Sequence, residues 1–165
     1  MIMSTHARFS HDHSGGLDPT GKITPALVHS IGQNALDIAI NAATTEGPED
    51  PLFWAESAGN IAALVNDAAI IAIGHPVIPQ GIVTGLMDIG TAVGVTTAGS
   101  DVFDAAQGVL NGSGSLAELA TEVTKAVPTL IALSPTIPAT VKSFVNASFE
   151  PVSKNITDLL STLKL

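Results

Sequence analysis

His11 and His13 flank Asp12 in the segment HDH, with His6 nearby. On extended backbone, residues two apart point to the same side, so a His-x-His pair can offer two imidazoles to one metal ion. One pair is not a full ligand set, and three chains meeting on an axis would complete an octahedral one. His11 and His13 are therefore the candidate metal ligands. The competing reading is a solvated, His-rich arm.

Over those three residues the HDH segment resembles the His-x-His metal clips of trimeric phage fibres, a likeness that implies a metal shared between chains. Asp67 and Asp88 are the other candidates, because each interrupts an apolar run where an ionised carboxylate is costly unless paired or hydrogen-bonded. Lys125, Lys142, a neighbouring subunit or solvent can supply what they need. Both are candidate pH-sensitive acids, whereas a two-carboxylate active site has no supporting motif around them. His29 and His75 have no acid or nucleophile at a recognisable spacing and are expected to be structural or surface residues.

Gly81 with Gly85, and Gly90 with Gly94, form two G-x-x-x-G patterns that let helix backbones approach closely, and Gly108 with Gly112 repeats the spacing. Each interior glycine costs a helix about 1 kcal/mol relative to alanine. The patterns therefore imply either a compensating close contact or irregular helix.

Enzyme signatures are missing: the chain has no G-x-S-x-G elbow, P-loop, H-E-x-x-H or dinucleotide fingerprint. Ser161 and Lys164 match S-x-x-K without its companion motifs. Asn111, Asn146 and Asn155 begin N-x-[ST] sequons, which matter only in a glycosylating pathway. No catalytic activity and no cofactor are expected.

The elements that would carry these residues follow from composition and periodicity. The 165 residues are 45% hydrophobic and only 13% charged, with no Cys or Tyr and one Trp, so small side chains must do most of the packing. A net charge of −9 repels phosphate backbones and anionic lipid, which argues against nucleic acid as a partner. Residues 1–22 are polar and lack apolar periodicity, and are read as an extended arm; residues 23–165 are read as one helical domain. The N-terminal stretch shows no apolar core of a secretory signal, which leaves the location unknown and packaging into an extracellular particle open.

Within the domain, Thr24 and Pro25 predict a helix start, with Leu27, Ile31, Ala35, Ile38 and Ala42 on one face and a stop before Gly47–Pro48. Glu49, Asp50 and Pro51 predict a second start, ended by Gly74 and Pro76. A third segment spans about 79–98, a shorter one 101–110, and Ser115 with Glu118 matches a capping box opening a helix that meets Pro128. A kink or break is expected at Pro151, followed by a stripe of Val152, Ile156, Leu159, Leu160 and Leu163. The expectation is an all-α compact bundle of five or six helices with short Gly/Pro connections, although "GIVTGLMDIGTAVGVTTAG" also suits two buried strands.

Residues 61–73 and 78–98 also invite a membrane-hairpin reading. Asp67, Asn66 and Asp88 oppose it, since an Asp at a span's centre costs about 2.5–3.5 kcal/mol, and the first apolar run, from Asn60 to Gly74, is shorter than a normal span. The expected function is a non-enzymatic structural or interaction subunit that self-associates or joins a larger assembly, such as a virion or secretion particle. The alternatives are a soluble protein that inserts residues 61–98 into a membrane, and an enzyme with an unrecognised site.

Overall fold

Thr24 holds extended backbone, and its Oγ1 accepts the Leu27 N–H at 3.2 Å, opening α1 (Pro25–Ala43). Pro25 fits the first helical position because its missing N–H would have no partner there. The computed structural model of the protein describes residues 24–78, 97–133 and 137–161. These form five α-helices, with no strand among the described residues.

In α2 (Pro51–Ile73), the Asp50 side chain caps the first turn by accepting the Leu52 N–H at 3.0 Å. Gly74 ends the helix in the left-handed region at φ 85°, where a side chain would be strained, and its N–H returns to the Ile70 carbonyl at 3.0 Å. Between α1 and α2 the chain is held down by Trp54, which donates its indole N–H to the Pro48 carbonyl at 2.7 Å.

The remaining helices are α3 (Thr97–Asn111), α4 (Leu116–Leu133) and α5 (Ala139–Ser161). Ser115 caps α4: its Oγ accepts the Glu118 N–H at 3.1 Å, and the Glu118 carboxylate turns back to that hydroxyl. Pro128 removes one backbone donor inside α4, yet the helix continues to Leu133. The chain does not break at Pro151 either. Residues 139–161 form one helix across it, despite the backbone donor that the proline lacks.

The helices stack in two layers. α1 and α2 form one; α3, α4 and α5 form the other, with α4 in the middle reaching both α1 and α2. α3 flanks α1, and α5 flanks α2. The predicted α1 stripe of Leu27, Ile31, Ala35, Ile38 and Ala42 is buried in full. It joins one continuous core with Ile61, Leu64 and Ala68 of α2, Leu119, Val123, Val127 and Leu130 of α4, and Val145, Phe149 and Leu160 of α5. Phe53 binds the layers at one end, meeting Phe103 of α3 edge to face with ring centroids 5.2 Å apart.

Several expectations lie outside the described residues: the arm of residues 1–22 with His11 and His13, the segment carrying Gly81, Gly85, Gly90, Gly94 and Asp88, and Leu163.

Candidate functional site

Ser30, Asn34, Asp37 and Asn41 follow four-, three- and four-residue steps, so they form a second stripe on α1 beside the apolar one. Such a polar stripe normally faces water. Here it faces α2, where Ser57, Asn60 and Asp67 lie on a matching face, and nearly all of these residues are buried. The result is a polar seam inside an otherwise apolar bundle.

Two contacts set the register. Ser30 Oγ donates to Asp67 Oδ2 at 2.6 Å, and Asn41 Nδ2 donates to Ser57 Oγ at 3.1 Å. Early residues of α1 thus meet late residues of α2 and the reverse, so the helices are antiparallel. Continuing that register brings Asp37 level with Asn60. Along the seam, Asn34 Nδ2 donates to the Ser30 carbonyl at 2.9 Å, and Gln33 Nε2 donates to Asp37 Oδ1 at 3.1 Å. Asn34 Oδ1 and Asp37 Oδ2 are buried and accept no hydrogen bond among the described residues. Leaving a buried acceptor unsatisfied costs about 1–3 kcal/mol, so the seam fixes which helix faces meet more than it adds stability.

Asp67 is 1% exposed, and the partner found for it on α1 is a serine hydroxyl. The lysines suggested by sequence are engaged elsewhere. Lys125 lies 3.6 Å from Glu122, one turn away on α4, and Lys142 donates to the Ala132 carbonyl at 3.1 Å. A hydroxyl donating to a carboxylate is half of a nucleophile–base arrangement. Ser30 and Asp67 are each 1% exposed, so the pair is closed off from solvent in this structure.

Asn66, next in sequence, does different work. Its Oδ1 accepts the N–H groups of Val77 and Ile78 at 2.9 and 2.8 Å, and its Nδ2 donates to the Ile78 carbonyl at 3.2 Å. The amide thereby hooks the chain that leaves α2 back against the helix. The two polar residues that interrupt this apolar run are therefore both hydrogen-bonded inside the protein.

Sequence reasoning singled out Asp67 and missed Ser30, Asn34, Asp37, Asn41, Ser57 and Asn60. The available signal was spacing: the α1 polar residues keep helical period next to the apolar stripe. Gly108 and Gly112 do not form a helix-packing pair. Gly112 lies beyond α3 at φ 82°, and the close neighbours of Gly108 are Ser113 and Gly114 in its own turn, so the spacing served a turn. His29 is exposed on α1, and His75 is exposed with Nδ1 3.0 Å from the Pro76 carbonyl oxygen. Among the described residues no group of three or more His, Cys, Asp or Glu side chains could hold a metal ion.

The length argument against a membrane span needs correction. α2 has 23 residues, about 35 Å at 1.5 Å per residue. The apolar run is shorter than the helix because Pro51–Gly59 extends it at the N-terminal side. By length and composition α2 could cross a bilayer, yet 72% of its most apolar window is buried inside the bundle. The chain matches no family model, no curated protein and no solved structure.

Proposed function

We propose that the protein is a non-enzymatic structural subunit that packs through apolar helix surface into an oligomer or a larger assembly, such as a virion or secretion particle. The observation that carries this reading is on α1. That helix spends its apolar stripe on the core and its polar stripe on α2, and Leu36 and Ile40, one turn apart, stay 38% and 49% exposed. Apolar residues at adjacent turns of one helix suit burial against a partner. In this reading the polar arm of residues 1–22 makes a further contact, with His11 and His13 as its metal-binding element, and short Gly/Pro connections keep the bundle rigid.

Light scattering on the purified full chain tests the proposal. The expected result is a defined oligomer or particle, and L36E with I40E is expected to lower the mass while helical content is kept. A stable monomer without a partner would overturn it.

The length and apolar character of α2 favour a second reading, in which the bundle opens and residues 61–98 enter a membrane. That route must carry Asp67 out of the seam into hydrocarbon, so it predicts liposome association as pH falls and Asp67 loses its charge. D67N is expected to move the onset toward neutral pH. No association at any pH would remove this reading.

A further inference from the structure

Asn111 is the one asparagine of seven in the chain that is followed by glycine. It is the last residue of α3, and Asn111, Gly112 and Ser113 are all exposed. Gly112, whose backbone nitrogen follows the Asn111 carbonyl, takes φ 82°, and the space where its Cβ would stand is open. The Asn111 side chain folds forward over that nitrogen: its Oδ1 accepts both the Ser113 N–H at 3.0 Å and the Ser113 hydroxyl at 2.6 Å. Two donors on one amide oxygen draw electron density from Cγ and suit the negative oxygen that forms when a nucleophile adds there. The nearby nucleophile is the Gly112 nitrogen, whose own hydrogen bond, to the Val109 carbonyl, is long at 3.4 Å.

We infer that Asn111–Gly112 is a self-modification site, at which the Asn111 side chain and the Gly112 nitrogen close an imide that water reopens to aspartate or isoaspartate. In the closing step the Gly112 N–Cγ bond forms and the nitrogen gives its proton to solvent. The Cγ–Nδ2 bond then breaks, and Nδ2 takes up a proton and leaves as ammonia. Water next adds to one of the two imide carbonyls. Cleavage of the ring nitrogen's bond to Cγ leaves an ordinary aspartate, and cleavage of its bond to the main-chain carbonyl leaves the isoaspartyl form, with the chain routed through the former side chain. Neither step needs an oxidant or a second protein.

Either product alters the turn between α3 and α4. A new carboxylate stands at the C-terminal end of α3, where the helix dipole is already negative. The isoaspartyl form also adds a main-chain atom just before Ser113 and Gly114, whose N–H groups both bond to the Gly108 carbonyl, at 2.9 and 3.0 Å. The site thus records the age of a folded chain in the geometry of one turn.

The full-length protein, incubated at mildly alkaline pH and assayed by enzymatic methylation of isoaspartate with peptide mapping, tests the inference. Isoaspartate is expected to concentrate at position 111, and N111Q is expected to lose that signal. S113A keeps the backbone donor and removes the hydroxyl, and is expected to slow conversion between roughly threefold and tenfold, the latter matching the loss of about one hydrogen bond to the transition state. Circular dichroism establishes that S113A is folded. No conversion at position 111, or an S113A rate equal to that of the unaltered chain, would overturn the inference.

Discussion

The interface of α1 with α2 and the surroundings of α4 are both buried, but they are built from opposite materials. Around α4, Leu119, Val123, Val127, Leu130 and Ile131 meet other apolar side chains, and the one buried polar group, Thr124, donates to the Ala120 carbonyl of its own helix at 2.8 Å. Apolar contacts of this kind are strong but tolerate small rotations and slips. Between α1 and α2, Ser30 needs Asp67 and Asn41 needs Ser57, so a slip by one turn would break both bonds at once. One surface supplies stability, and the other selects the register.

The contrast can be broken first on the apolar side. L130A removes a fully buried side chain from the middle of the core and is expected to cost about 3 kcal/mol in denaturant unfolding, within the range for such cavities. A loss below about 1 kcal/mol would mean that α4 is not packed as described. The next effect belongs to the hook on α2. N66A leaves the Val77 and Ile78 N–H groups without their acceptor, and is expected to cost about 2 kcal/mol and to speed amide exchange at those two positions. Exchange at Val77 and Ile78 that matches the unaltered protein would discard the hook.

The smallest effect sharpens the comparison most. D67A leaves the Ser30 hydroxyl buried without that acceptor, while S30A with D67A removes both partners of the bond. Their double-mutant cycle is expected to show coupling of about 1–2 kcal/mol, with the double variant more stable than D67A. Because the seam selects register, the double variant is also expected to lose its narrow set of α1–α2 distances, as read by spin labels on the two helices. Additive single losses would show that Ser30 and Asp67 do not act together.

Much of the architecture was legible in the residues themselves. Thr24–Pro25, Asp50–Pro51, Gly74 and Ser115 with Glu118 mark helix ends because each satisfies or dispenses with backbone groups locally, and local chemistry is what a sequence displays. The apolar stripe of α1 was legible for the same reason. The seam was not, because a polar residue at helical spacing looks the same whether it faces water or another polar residue on a helix far along the chain. At Pro151 the local cost is real, yet the helix of residues 139–161 runs through it without a break, which the residues around the proline do not display.

Asn66 also bears on the order in which the molecule is assembled. Its partners are only 11 and 12 residues away, so closing that loop costs little chain entropy compared with docking α5 on α2. Once α2 is helical, its hook can fasten without waiting for α4. The end of α2 and residues 77–78 thus form a local unit, available early to a chain still collapsing, and pulse-labelling exchange during refolding would detect it as amide protection that precedes protection in α4.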